Sequence, residues 1–389
     1  MRHVHHRHNT TLYAICFIGF VFTLHMALPV YINSTFLSQF TTESVVGMIY
    51  AVAAIGTILG LASINGFLRR HGNYNLAISF ILLQIIALAG LMISKSLLLA
   101  FPFFVAHLML SSFIVFNIDI FLESHSNDAH TGGIRGLFLT TLNIAWILSP
   151  LLASSLITTD DYWKLYAAAI GLSLPLLYLI KKNFKHYKDR QYPTTSFVST
   201  FKRVWNNERF YYIFIANIIL NTFYIWMVIY TPIYLHQHIG FDWDTIGLIF
   251  TIMLLPFVIF QFKLGKLADE KYGEKEFLVI GFIIMALATA SLAFINGANI
   301  WLWAALLFTT RIGASMVEIM VETYFFKQIH TRDSNILSMY RITRPTAAIV
   351  APLFMTVCLL ITDFKYTFVL LGILVLAGVY YSMKIVDTK

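Results

Sequence analysis

Long apolar runs alternate with short polar loops along the whole of the 389-residue chain. A bilayer crossing needs about 20 predominantly apolar residues. Twelve windows meet that test: 12–31, 44–68, 76–93, 97–122, 135–157, 162–180, 210–235, 245–267, 277–294, 300–326, 338–361 and 366–383. Backbone polar groups find no water inside lipid, so each span is expected to be an α-helix that satisfies its own N–H and C=O groups. The pattern predicts an all-α membrane protein of twelve transmembrane helices, with little room between spans for a soluble domain.

The informative positions are the polar ones that interrupt these runs. Span 300–326 contains RIGASMVEIMVE, in which Arg311, Glu318 and Glu322 stand at i, i+7 and i+11. At about 100° per residue they fall within roughly 60° of one another, on one helix face. Charged groups at membrane depth are rare and normally face a bundle interior or a wet cavity. Span 97–122 runs into NIDIFLES, which sets Asp119 and Glu123 one turn apart. The first span carries His25, either a proton relay or a hydrogen-bonded packing residue. Asn217, Asn221 and Tyr224 recur at helical spacing in span 210–235 and can bond a substrate or a neighbouring helix.

The second half of the chain repeats the first. Asp119 and Glu123 correspond to Glu318 and Glu322 at an offset of 199 residues, the offset that also relates Gly66 to Gly265 in the turns after the second and eighth spans. Pro29 with Tyr31 matches Pro232 with Tyr234, Gly47 matches Gly247, and Pro150 matches Pro352, with a drift of a few residues. Each half holds six spans, an even number, so both enter the membrane in the same sense and form a parallel repeat about an axis along the membrane normal. The expected organisation is a six-helix bundle over 1–180, a linker over 181–209 and a second six-helix bundle over 210–389. In the linker, Phe197, Phe201, Val204 and Trp205 recur opposite Lys202 and Arg203, which predicts an interfacial helix.

Composition agrees: 58% of residues are hydrophobic, 12% are charged, and mean hydropathy is +0.74. With the N-terminus placed in the cytoplasm, only Lys95, Lys164 and Lys365 of the 27 lysines and arginines fall in outer loops. Arg311, Arg341 and Arg344 lie within spans, and the rest face the cytoplasm. Both termini are therefore expected inside, in a multi-pass protein of the plasma or inner membrane. The net charge of +8 reflects this asymmetry and anionic lipid rather than nucleic acid, because the basic residues are dispersed among short loops. Cys16 and Cys358 lie in spans and suggest no disulfide framework. The first apolar segment is too long for a signal sequence and reads as a retained helix. The histidine-rich start, MRHVHHRHN, reads as a solvated tail, and no metal site is expected.

The turn after span 245–267, GKLADEKYGEKE, supplies Gly265, Leu267, Ala268, Asp269 and Gly273. It resembles the G-x-L-A-D-x-x-G signature of the major facilitator superfamily, with one extra residue before the second glycine. In the first-half counterpart Gly66, Leu68 and Gly72 remain, but Arg69, Arg70 and His71 stand where that family has its aspartate. Glu123 followed by Arg135 and Gly136 is similar to the family's acidic end of span 4 and Arg-Gly opening of span 5. The resemblance covers nearly the whole chain. It implies alternating access by rocking of two six-helix bundles, with spans 1, 4, 7 and 10 lining a central cavity, and a protein able to work as a monomer.

Together these features point to a secondary active transporter of a small molecule, coupled to protons. An efflux carrier for amphipathic compounds is the main rival, ahead of a membrane enzyme acting on lipid head groups and a non-transporting sensor. No G-x-x-x-x-G-K-[ST], nucleophile elbow or H-E-x-x-H occurs, so neither ATP hydrolysis nor another catalytic activity is expected, and no cofactor is implied. Asp119, Glu318, Arg311, His25, Asn217, Asn221 and Tyr224 are the candidates for substrate or proton binding. Glu123, Glu322, Arg135, Arg341, Arg344 and Asp269 are the candidates for a gating charge network. Within it Glu123 and Glu322 are expected to find Arg135 and Arg341, while Asp269 is expected at a helix end beside Arg135.

Overall fold

The computed structural model describes residues 2–30, 33–41, 43–125, 131–156, 162–189, 191–192, 196–295, 297–329 and 334–388. The spans fold as α1 (Arg2–Val30), α3 (Glu43–Ile93), α4 (Leu97–Glu123), α5 (Thr131–Leu156) and α6 (Trp163–Phe184) in the first half. The second half supplies α8 (Glu208–Ile233), α9 (Trp243–Leu267), α10 (Lys275–Ser291), α11 (Ile300–Gln328), α12 (Ser334–Ile361) and α13 (Thr367–Met383). Two short helices, α2 (Asn33–Ser38) and α7 (Phe197–Trp205), complete the order. Tyr31, one of the repeat-matched residues, lies outside the described residues. Spans 44–68 and 76–93 are the two limbs of α3, which Gly72 interrupts with φ 76° and ψ 161°. Among the described residues ten helices are long and apolar enough to cross a membrane, Met48–Ile93 being 46 residues long. The chain is an integral, multi-pass, all-helical membrane protein. Side chains such as Leu98, Leu174 and Leu360 stay exposed on helix surfaces, where lipid rather than water suits them.

Local chemistry sets several helix boundaries. Asn207 caps α8 by accepting the N–H of Arg209 at 3.0 Å, and Asp242 caps α9 by accepting that of Thr245 at 2.8 Å. Hydrogen bonds from Thr245 hold the Asp242 carboxyl below the usual carboxylate range. In α7 the rings of Phe201 and Trp205 stack at 5.4 Å on a half-exposed face, while Val204 is fully buried.

The chain divides into two compact units. Unit 1 comprises residues 1–126, 144–200 and 329–345, and unit 2 comprises 127–143, 201–328 and 346–389. Unit 1 packs α3 against α4 and α6, and α1 against α6. Phe36, Leu37, Ile49, Leu88, Phe104 and Tyr166 share one core there. Unit 2 packs α10 against α11 and α13, and α9 against α11, around Phe223, Trp226, Phe282 and Trp303.

Each unit contains the same device at a span-to-span turn. Gly72 and Gly273 both have φ near 75°, with ψ of 161° and −171°. That region of backbone space is essentially restricted to glycine. The N–H groups that follow are capped by an aspartate from the segment after α6 in unit 1 and after α13 in unit 2. Asp189 accepts from Asn73 N–H at 2.8 Å, and Asp387 accepts from Glu274 and Lys275 N–H at 2.9 Å each. Tyr192 also donates to Asp189, and burial together with that bond pushes its phenol pKa up. A Cβ on Gly273 meets Asp387 at 2.7 Å. Gly273→Ala is therefore expected to cost about 1–3 kcal/mol from backbone strain alone. A lowered unfolding midpoint in detergent checks it, with Gly171→Ala, whose Cβ meets nothing within 4 Å, as the neutral control.

Candidate functional site

In unit 2, polar groups descend α11 in four steps. Arg311 is 2% exposed, and its guanidinium carbon lies 4.9 Å from the ring of Phe223 and 6.0 Å from that of Tyr224, both on α8. Aromatic faces attract a cation. The Tyr224 hydroxyl donates to the carbonyl of Ala314 at 3.4 Å. Two turns further, Glu318 accepts from Gln261 Nε2 at 2.5 Å, and Gln261 Oε1 accepts from Asn143 Nδ2 at 2.8 Å. One turn beyond that, Glu322 comes within 3.8 Å of Arg135, whose guanidinium lies 3.1 Å above the ring of Phe326 and is fully buried. At the end of the helix, Lys327 Nζ bridges Glu274 at 2.7 Å and Asp269 at 2.9 Å.

Asp269 owes its position to a close approach of two backbones. A Cβ on Gly265 would run into the carbonyl oxygen of Gly132, and one on Gly132 would meet that of Gly265 at 2.5 Å. Only glycines let the end of α9 touch the start of α5 in this way. The contact delivers Asp269 to the first turn of α5, where it accepts the Gly133 N–H at 2.9 Å. An anion there is favoured by the helix dipole and by unsatisfied N–H groups. Glu274, fully buried, also accepts from the hydroxyl of Thr388 at 2.9 Å and 3.0 Å.

In unit 1, Asp119 is 1% exposed and is gripped by Arg341 through two bonds, Nε at 2.6 Å and Nη2 at 2.8 Å. This fork geometry is among the stronger polar contacts a protein makes. Beside it, Asn117 Nδ2 donates to Asn73 Oδ1 at 2.6 Å, and Ser334 donates to Asn65. His25, on α1, is buried and donates from Nδ1 to the carbonyl of Ala169 at 2.8 Å. Glu123 is half-buried and Arg344 exposed.

The structure brings several sequence candidates together: Glu322 lies near Arg135, one of its two expected partners, and Arg341 holds Asp119. The cation on Asp269 is Lys327 rather than Arg135, because the glycine contact brings Asp269 to the backbone of α5 and the end of α11 instead of to the arginine side chain. Asn221 bonds to the carbonyl and side chain of Asn217 on its own helix, at 2.8 Å and 2.9 Å. Sequence reading passed over Gln261, Asn143, Lys327 and Glu274. Among the described residues no group of three or more His, Cys, Asp or Glu is arranged to hold a metal ion.

Comparison with known proteins follows the same lines. The sequence model of the Major Facilitator Superfamily matches residues 11–335 and 228–387. A search of the curated proteins finds no match. Among solved structures, a bacterial homologue of the iron transporter ferroportin in its outward-facing state aligns with a TM-score of 0.76 at 13% identity, covering 96% of this chain and 97% of that one. The human organic anion transporter MFSD10 (TETRAN) aligns with a TM-score of 0.79 at 10% identity, covering 96% and 99%.

Proposed function

Because the chain belongs to the Major Facilitator Superfamily, we propose that it is a secondary active transporter that carries a small anionic molecule by alternating access and is driven by protons. The observation that carries this reading is the buried charge on α11. A helix with a lipid-spanning composition keeps Arg311, Glu318 and Glu322 within its buried or half-buried face. Such groups are costly in a membrane and are found where a substrate or ion path needs them.

The roles divide by what each side chain touches. Arg311, walled by Phe223 and Tyr224, offers a positive charge with apolar rings beside it, which suits an organic anion with an apolar body. One structural neighbour is a homologue of an iron transporter and the other is an organic anion transporter, and these side chains favour the second kind of cargo. Glu318 accepts from a neutral amide, so protonating it leaves Gln261 able to bond it still; it is the better proton carrier. Asp119, held by two bonds from a guanidinium, is better suited to a gate. The pairs Asp119–Arg341 and Arg135–Glu322 each join a residue of the first sequence half to one of the second, as a gate that must break between states requires. Lys327, Glu274 and Asp269 support the Arg135–Glu322 pair from the end of α11, the cytoplasmic end by the lysine and arginine distribution.

Purified protein in liposomes with an imposed pH gradient, challenged with a panel of organic anions, tests the reading. Glu318→Gln is expected to lower gradient-driven uptake roughly tenfold, a usual size for a coupling free energy, while leaving gradient-free exchange in place. Unchanged gradient dependence overturns the role of Glu318, and conversion of any compound without transport overturns the function.

A further inference from the structure

A second polar cluster lies inside unit 1, built around His25 and not used by the roles assigned under the proposed function. His25 from α1, Gln84 from the second limb of α3, His107 and Ser111 from α4, and Ser173 from α6 are all at most 4% exposed. The Gln84 amide nitrogen sits 2.6 Å from His107 Nδ1, 3.1 Å from Ser111 Oγ and 3.4 Å from His25 Nε2. Ser173 Oγ and the carbonyl of Ala169 lie 3.2 Å and 2.8 Å from His25 Nδ1.

Counting hydrogens fixes the state of the rings. His25 Nδ1 faces a carbonyl oxygen and so carries its hydrogen, leaving Nε2 as an acceptor for the amide. His107 Nδ1 also accepts from the amide, so its hydrogen is on Nε2, which has no hydrogen-bond partner among the described residues. Gln84 Oε1 likewise has none. Two amide hydrogens thus face three acceptors, while the amide oxygen and a ring N–H are stranded in a buried place. Buried polar groups left in this way are rare and call for an explanation.

A half-turn of the amide exchanges its nitrogen and oxygen. The oxygen then faces both rings and needs a hydrogen on His25 Nε2 and on His107 Nδ1. The rings now hold two hydrogens between them and the turned arrangement holds three: Nδ1–H and Nε2–H on His25, and Nδ1–H on His107. The difference is one proton, taken from water; His107 changes tautomer and loses its stranded Nε2–H, while the turned NH2 takes the partnerless place that the amide oxygen held and needs water there.

We propose that His25, Gln84 and His107 form a binding site for a single exchangeable proton within unit 1, with the Gln84 amide turning to bind the charged form. Among the described residues the titratable groups bonded within the cluster are the two rings; Tyr166, three residues before Ala169 on α6, donates instead to Asn33. No carboxylate, lysine or arginine of α1, α3, α4 or α6 is bonded to the cluster among the described residues. The added charge therefore lacks a counter-ion and is sustained only when water reaches the bundle interior. That dependence makes proton binding responsive to conformation, as coupling requires. The use of the site rests on the transport reading; its existence does not.

The test is ring-nitrogen NMR of the full chain labelled with 15N-histidine, titrated in lipid nanodiscs, with His25→Gln and His107→Gln assigning the two rings. The expected result is that His107 passes from the Nε2–H to the Nδ1–H tautomer at the same midpoint at which His25 becomes doubly protonated. Gln84→Glu, which supplies a counter-ion, is expected to raise that midpoint by about one pH unit or more. Separate midpoints, a His107 ring that keeps its Nε2–H tautomer throughout the folded range, or a midpoint unmoved by Gln84→Glu overturns the proposal. Joint titration without gradient-driven transport keeps the site and removes its proposed use. Gradient-driven transport without joint titration keeps the function and leaves the proton with Glu318.

Discussion

Asp119→Asn is expected to destabilise the protein by about 3 kcal/mol and to stop transport. Removing one partner of a buried ion pair strands the other, at a cost of about 3–5 kcal/mol. The Arg341 side chain keeps 23% of its exposure while that of Asp119 keeps 1%, so the lower end of that range applies. The discriminating measurement is a double-mutant cycle with Arg341→Met, read from unfolding midpoints in detergent. Each single change leaves one charge facing a neutral or apolar group. The double change leaves none, so it is expected to be more stable than Asp119→Asn alone, with a coupling of about 2 kcal/mol or more. Strictly additive effects sink the assignment of this pair. Transport is expected to stay absent in the double variant even where stability returns, because a gate needs the attraction and not merely the packing.

The contrast between spans and partners explains what could be read from the chain before its structure. Spans are legible because the bilayer demands a minimum apolar length, and every helix-sized window carries that signal independently of its neighbours. Asp119, Glu318, Arg311, Arg135 and Arg341 stood out for the complementary reason: a charge within such a window is conspicuous. Which charge meets which is decided by approaches a one-dimensional pattern does not contain, such as the backbone contact of Gly132 with Gly265 that carries Asp269 toward Lys327. Gln84, His107, Asn143 and Gln261 escaped notice because they lack a full charge and each is isolated within an apolar run. The signal for them was present all the same, since a buried amide or imidazole in lipid-spanning sequence also needs a partner. Lys327 and Glu274 escaped because they lie at span ends, where lysine and glutamate ordinarily meet water.

Lys327→Met is expected to be the more damaging of the charge deletions. One ammonium sits 2.7 Å from Glu274 and 2.9 Å from Asp269, and the three side chains are 13%, 0% and 7% exposed. Taking it away leaves two carboxylates close together with no shared cation, so the loss is expected at or above the upper end of the roughly 3–5 kcal/mol for a broken buried pair. Lys266→Met is the internal control. Its pairing with Glu270 spans 3.6 Å, but both side chains are more than half exposed, and such pairs contribute only about 0–1 kcal/mol. Unfolding midpoints of the two variants in the same detergent check the contrast, and equal small shifts refute it. Adding Glu274→Gln to Lys327→Met is expected to return part of the loss, because one of the stranded charges is removed while the amide can still accept from Thr388. The remaining deficit then belongs to Asp269, whose carboxylate keeps only the Gly133 N–H at the start of α5. That deficit is expected to appear functionally as well, as a raised rate of thiol labelling at cysteines introduced near Gly133, since Lys327 ties the end of α11 to the residue that holds that turn.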